Sequence, residues 1–254
     1  MAATKHKTGT REEWLAARRK LLEREQELSK QSGELAKERR KLPWVKIEKD
    51  YLFETDEGVK TLQQLFDGRS QLLVYHLMFG PDWTAACPGC SSLADHFDGT
   101  LPHLNARDAT LIGVSRAPIE KVQAYKERMG WKFPYVSSFE SDFNFDFGVS
   151  FTEKDKQDGA EYNFEPIDFD KVVEEFSGSG FMADAAASCG IDVAEYVTTE
   201  GPGLSVFALE DGVVYHTYSA YAPEANFLVF YGQLLDRAPK EPSDDAPVRR
   251  NDEY

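Results

Sequence analysis

Two cysteines, Cys87 and Cys90, are separated only by Pro88 and Gly89 and follow the apolar run Gln71–Phe79. Three residues apart on a helix, they lie one turn apart on the same face, where two thiols can close a small disulfide with little backbone movement. The run reads as a buried strand, and Pro88 suits the first position of the helix that follows. Cys87 is then the cap, with orphan backbone N–H groups and the positive end of the helix dipole aimed at its sulfur. Such a setting lowers a thiol's pKa from about 8.5 toward the range of about 3.5–7.5. The spacing therefore predicts thiol–disulfide exchange, with Cys87 as nucleophile and Cys90 as resolving thiol. This chemistry needs no cofactor.

Three other readings compete. A structural zinc site needs four ligands, and the third cysteine, Cys189, lies far downstream, while His76, His96, His103 and His216 are scattered. No metal is expected. A cysteine peroxidase would carry Thr or Ser three residues before its reactive cysteine, where Thr84 stands, and an arginine clamp from far downstream. No arginine occurs between Arg128 and Arg237, which leaves Arg107, Arg116 or a lysine for that duty. The last alternative is a non-catalytic binding module with two inert thiols. Around the motif, Trp83 is a candidate to cover the disulfide or dock a substrate, and Asp82 to relay protons or start a turn. Pro202 is a candidate binding residue beside the disulfide, with Pro134 its rival. Cys189 reads as a buried or incidental thiol, and His216 as a strand residue without catalytic duty.

The elements that must hold the motif are legible. Thr10 and Glu13 form a capping-box signature, and a helix is expected over 10–41, ended by Pro43. Its Trp14, Leu21, Leu28 and Leu35 recur every seven residues. A hairpin is expected around Thr55–Gly58, and a helical turn over Leu62–Phe66. The strand before Cys87 comes next, then helical residues with a break near Gly99 and Pro102. A second buried strand covers Thr110–Val114, a helix Pro118–Met129, a short strand Tyr135–Ser137, and a hairpin turns about Asp211-Gly212. A last helix is expected over 223–236. Strand, CxxC helix, strand, helix, antiparallel hairpin, helix is the thioredoxin plan, and a helix between the two buried strands makes them parallel. The expectation is an α/β protein with a three-layer thioredoxin-like fold. It comprises a helical arm over 1–45, a domain over 46–237 with an insertion near 150–200, and a disordered Pro-rich charged tail over 238–254.

The chain of 254 residues carries a net charge of −15. Such a body repels phosphate backbones and anionic headgroups, so nucleic acid and membrane surfaces are excluded as partners. No apolar run approaches the ~20 residues of a membrane helix. No secretory signal is visible before Thr10, and an odd cysteine count does not suit a disulfide framework. The expected setting is the cytoplasm, and the expected partner a protein or small-molecule thiol or disulfide. The seven-residue stripe of the arm must bury somewhere, so a homodimer is expected.

Longer motifs support this reading. Arg11-Glu-Glu-Trp-Leu-Ala-Ala-Arg18, Leu42-Pro-Trp-Val45, Met78-Phe-Gly-Pro-Asp-Trp83, Cys87-Pro-Gly-Cys-Ser91 and Ala94-Asp-His-Phe-Asp-Gly99 stand in that order. Val114-Ser-Arg-Ala-Pro118, Ser141-Asp-Phe-Asn-Phe-Asp-Phe-Gly148 and His216-Thr-Tyr-Ser219 follow. In these the chain resembles the thioredoxin-like family labelled DUF899, over nearly its whole length to about Pro239. The resemblance implies a dithiol–disulfide oxidoreductase and carries over only Cys87 and Cys90 as reactive groups. Asp82, Trp83, Asp95 and His96 match its motifs without a role. The stretch Phe169–Thr199, with Cys189, departs from the pattern and leaves the local substrate surface open.

Overall fold

A reciprocal pair of hydrogen bonds starts the first helix. Glu13 N–H donates to Thr10 Oγ1 at 3.2 Å, and Thr10 N–H donates to Glu13 Oε2 at 2.7 Å. Helix α1 runs Arg11–Arg39. The computed structural model describes residues 7–222, 228–239 and 249–254. They fall into two units, Met1–Pro43 and Trp44–Tyr254. Among the described residues the first unit holds the single helix α1. A lone helix has no core, and Trp14, Leu21, Leu28 and Leu35 stand exposed along it.

In the second unit the strands are β1 (Val45–Lys46), β2 (Leu52–Thr55), β3 (Gly58–Thr61), β4 (Gln71–His76), β5 (Ala109–Ser115) and β6 (Tyr135–Ser137). After them come β7 (Ala160–Tyr162), β8 (Glu165–Ile167), β9 (Gly203–Glu210) and β10 (Val213–Tyr221). Eight of them form one sheet in the order β1-β10-β9-β4-β5-β6-β2-β3, and β7 pairs with β8. Strands β4, β5 and β6 are parallel, with Val74 opposite Ile112, while β9 and β10 complete the sheet antiparallel. Between β4 and β5 lie α2 (Pro88–Ala94) and α3 (Phe97–Asn105), and α4 (Ile119–Met129) links β5 to β6. Parallel neighbours require such crossovers, because their ends point the same way.

Every residue of β5 is buried, as a strand covered on both faces must be. Alternation then separates two cores. Tyr75, Leu77 and Leu111 face α2, α4 and the ring cluster Phe97, Trp131 and Phe133. Leu72, Val74, Ile112 and Val114, with Phe207 beside them on β9, face Phe66, Phe143 and Phe147. Helix on one side, sheet in the middle and packed turns on the other make this the three-layer thioredoxin-like fold that the element order implies.

Differences from the expected elements are local. The helical break falls at Asp95–His96, and Gly99 and Pro102 lie inside α3. Asp95 Oδ1 there accepts from Trp131 Nε1 at 2.7 Å, tying the turn to the far side of the core. Residues 150–200 are regular: besides β7 and β8 they contain α6 (Glu153–Asp158), α7 (Phe169–Ser177), α8 (Gly180–Cys189) and α9 (Val193–Thr198). A four-residue helix, α5 (Phe143–Asp146), precedes them. The last helix, α10, is Phe230–Leu235, and residues 223–227 of the expected helix lie outside the described residues. Of the expected disordered tail, residues 240–248 also lie outside them. Residues 249–254 correct that expectation. Arg250 is only 1% exposed, and Asp252 and Glu253 pair with Arg128 at 2.7 and 2.9 Å. Among the described residues no helix is long and apolar enough to cross a membrane.

Candidate active site

Cys87 is the N-cap of α2 and Pro88 its first residue. The Cys87 N–H donates to Met78 O at 2.9 Å, which fixes the loop after β4. Its Sγ accepts from the Cys90 backbone N–H at 3.3 Å, so the sulfur itself does the capping. Both cysteines are reduced and buried, at 5% and 4% exposure. Tyr196 of α9 places its hydroxyl 2.9 Å from Cys87 Sγ. Burial pushes the Tyr196 hydroxyl far above the ordinary tyrosine range, so it stays protonated and donates.

The two thiols are driven apart. Cys87 is lowered to about 7, first by the hydrogen bond from the Cys90 thiol, then by Tyr196 and the backbone N–H groups of Cys90 and Gly89, all against burial. Cys90 is raised well above a free thiol, first because it donates to Cys87 and then because it is buried. The Tyr75 hydroxyl works in the opposite, lowering direction on Cys90 without offsetting these effects. The pair thus contains one thiol poised to ionise near neutrality and one that keeps its proton.

A second set of groups sits behind the motif. Arg250 Nη2 and Nε donate to Ala86 O at 2.6 and 3.2 Å, and Nη2 donates to Ser188 O at 3.1 Å. Nε also donates to the Tyr125 hydroxyl at 2.9 Å. Tyr125 lies 2.7 Å from Ser91 Oγ, which donates to Cys87 O at 2.8 Å. The guanidinium is thereby linked to both peptide units flanking the nucleophile. It lies 3.7 Å from Cys189 Sγ, whose thiol burial pushes up to about 12. Cys189 O accepts from Thr84 N–H at 2.8 Å. At Gly190, with φ +77°, a Cβ would meet Thr84 Oγ1 at 2.6 Å, so only glycine lets α8 end this close to the cysteine loop.

Cys87 and Cys90 open into a cavity of about 580 Å³, also lined by Met78, Phe176, Glu200 and Pro202. Glu200 is 5% exposed, accepting from Arg116 Nη1 at 2.9 Å and Ser150 Oγ at 2.5 Å. Burial outweighs both partners and raises its carboxyl to about 7.

The Bacterial protein of unknown function (DUF899) family matches residues 3–254. The chain belongs to the DUF899 family. No curated protein matches it. Among solved structures, the chain is similar to Xanthomonas campestris peroxiredoxin Q, with TM-score 0.43 and 14% identity over 74% of this chain and 92% of that one. It is also similar to Mycobacterium tuberculosis peroxidoxin BcpB, with TM-score 0.42 and 13% identity over 76% and 96%. The mitochondrial 2-Cys peroxiredoxin of Plasmodium falciparum gives TM-score 0.40 and 11% identity over 78% and 98%. Likeness at this level says nothing about chemistry.

The DUF899 motif residues divide into those at the cavity and those behind it. Pro202 reaches the cavity wall, and Pro134 does not. Trp83 is 1% exposed and stacks on Tyr196, ring centroids 5.5 Å apart. It cannot dock a substrate directly, since Tyr196 presents the ring that lines the cavity. Asp82 and Thr84 are exposed, and Thr84 packs on Gly190. Arg116 serves Glu200, and Arg107 Nη1 donates to His103 O. Among the described residues no arginine hydrogen-bonds Cys87. Asp95 accepts from Trp131 and Asn251, and His96 stacks on Tyr231 of the cavity wall. Tyr196, Glu200 and Arg250 carry no motif in this DUF899 sequence. Only the buried tyrosine's distance to sulfur, the carboxylate's place in the wall and the guanidinium's burial single them out.

Proposed function

We propose that the chain is a dithiol–disulfide oxidoreductase of the cytoplasm. One observation carries the reading: Cys87 Sγ accepts hydrogen bonds from Tyr196 and the Cys90 N–H, while Cys90 one turn on keeps its proton. Only a thiolate attacks a disulfide, and its nucleophilicity is best when its pKa lies near the ambient pH. In the forward step the Cys87 thiolate attacks one sulfur of a disulfide, forming a mixed disulfide and expelling a partner thiolate. That thiolate takes the Cys90 proton. The Cys90 thiolate then attacks Cys87 Sγ, closes the Cys87–Cys90 disulfide and releases the second partner sulfur as a thiolate. A low-molecular-weight dithiol or a reduced protein dithiol restores the pair, and no cofactor enters. Trp83 supports the site by stacking on Tyr196, and Pro202 forms part of the binding wall.

The test is a pair of substitutions. Cys87→Ser abolishes disulfide reduction, and Cys90→Ser accumulates mixed disulfides detectable by mass spectrometry. Retained activity in Cys87→Ser, or first alkylation at Cys90 at neutral pH, overturns the mechanism. Rapid consumption of hydrogen peroxide by Cys90→Ser without trapped partners would move the reading to a cysteine peroxidase. Ordinary Cys87 ionisation with no adducts would leave only a binding module.

A further inference from the structure

The walls of the Cys87 cavity restrict what can reach the sulfur. Its volume of about 580 Å³ falls in the range of about 300–1,000 Å³ typical of small-molecule sites. One side is the redox loop itself, with Tyr75, Met78 and Leu93. The other comes from the 150–200 stretch, where Phe151, Val172, Phe176, Met182 and Val197 close over the thiols. A protein disulfide would have to push its loop between these side chains. Between these apolar side chains its peptide N–H and C=O groups would give up water for few hydrogen-bond partners, each unpaired group costing up to several kcal/mol.

Charge narrows the choice further. Among the described lining residues no lysine, arginine or histidine occurs, and Glu200 is the one carboxyl. Its guanidinium partner, Arg116, is not part of the wall. An anionic substrate would meet apolar surface and, once Glu200 ionises near pH 7, a carboxylate, with no lining cation among the described residues to offset its desolvation.

We infer that the oxidised substrate is a low-molecular-weight, uncharged, largely apolar organic disulfide, selected by the wall that α7, α8 and α9 build over Cys87. The inference rests on Cys87 and Cys90 being a redox dithiol. With an aromatic disulfide ArS–SAr, the Cys87 thiolate forms Cys87–S–SAr and releases one ArS⁻. Cys90 attacks Cys87 Sγ and releases a second ArS⁻, its proton passing to solvent. Each chain is oxidised by two electrons, each ArS–SAr is reduced by two, and no further reductant is needed for one turnover.

The experiment mixes pre-reduced protein with a neutral aromatic disulfide, 4,4′-dithiodipyridine, or with the dianionic 5,5′-dithiobis(2-nitrobenzoate). Release of the chromophoric thiol is followed in a stopped flow. Each rate is divided by that of a free cysteine derivative, adjusted to equal thiolate fraction. The neutral reagent is expected to be favoured over the dianion at least tenfold more than by the free thiol. Glu200→Gln narrows that preference, and Val172→Lys, on the half-buried face of α7, narrows or reverses it. Equal normalised rates overturn the substrate class while leaving the dithiol intact, as does reduction of a protein disulfide such as insulin at the rate of the neutral reagent. No fast thiol release from either reagent, with Cys87→Ser unchanged from wild type, overturns the dithiol reading itself.

Discussion

The Tyr196 hydroxyl lies 2.9 Å from Cys87 Sγ across 109 residues of sequence. It is a neutral donor on a buried acceptor, so it strengthens when the sulfur ionises. A hydrogen bond to a charged group contributes about 1.5–3 kcal/mol, and one pKa unit corresponds to about 1.4 kcal/mol. Tyr196→Phe is therefore expected to raise the Cys87 pKa by roughly one to two units. The pH dependence of iodoacetamide alkylation reads this directly. In the wild type the rate climbs as pH rises through about 7 and then levels, because the lowered thiol of Cys87 is by then ionised. An unshifted profile in Tyr196→Phe would remove Tyr196 from the chemistry.

Glu200 couples the cavity to stability. Its folded carboxyl keeps a proton up to about 7, against 4.5 when unperturbed. Between those values the folded state binds more protons than the unfolded, so this group's contribution falls as pH rises through the window. The loss amounts to roughly 3 kcal/mol. His76 and His216 act in the opposite sense. Burial holds His76 down to about 3 and lowers His216, so both favour folding as pH rises toward their unfolded values. The measurement is thus the difference between wild type and Glu200→Gln in urea midpoints at pH 5 and pH 7. The variant is expected to gain on the wild type with rising pH. A constant difference would show that Glu200 titrates normally.

Arg250→Met should be among the costliest single changes outside the two cores. It leaves Ala86 O, Ser188 O and the Tyr125 hydroxyl without their donor. Each buried group left unpaired costs about 1–3 kcal/mol. With partial relaxation, the expected loss is about 3 kcal/mol in chemical denaturation. Arg250→Lys recovers little of it, since a single ammonium cannot reproduce the guanidinium fork. Wild-type stability in either variant would show that the docked 249–254 segment is incidental.

The exposed stripe on α1 predicts a homodimer joined by the arm. Light scattering on the intact chain is expected to give a dimer, and on a chain lacking residues 1–42 a monomer. An unchanged mass after truncation would sink the idea. The helix has no buried residue of its own to lose.

Most of the scaffold was legible because it is local. Gly130 at φ +71° ends α4 where the sequence places a stop, and Asp211-Gly212 turns β9 into β10. The unbroken apolar runs of β4 and β5 announce strands covered on both faces. The cysteine pair was legible for the same reason, since capping and ring closure depend on neighbours in sequence. What surrounds it was not. Tyr196 sits on a six-residue helix in an acidic stretch, and its value comes from packing on Trp83. Arg250 lies in a charged segment whose composition resembles a solvated tail. Its burial depends on two carbonyls, Ala86 and Ser188, that sequence gives no reason to bring together. The helical break was misplaced because Pro102 falls in α3 and the turn is made by Asp95 reaching Trp131.

The separation of Arg250 from Ala86, 164 residues along the chain, also sets an order of events during synthesis. At bacterial elongation rates of about 5–20 residues per second, the Cys87 loop leaves the ribosome roughly ten seconds or more before the guanidinium that will fasten it. Tyr196 follows the loop by more than half that interval. Until Tyr196 emerges, Cys87 lacks its tyrosine donor and the part of its wall that α9 supplies. The groups that lower the Cys87 thiol are therefore made in two stages, Cys90 and Gly89 together with the loop and Tyr196 only once α9 has been synthesised.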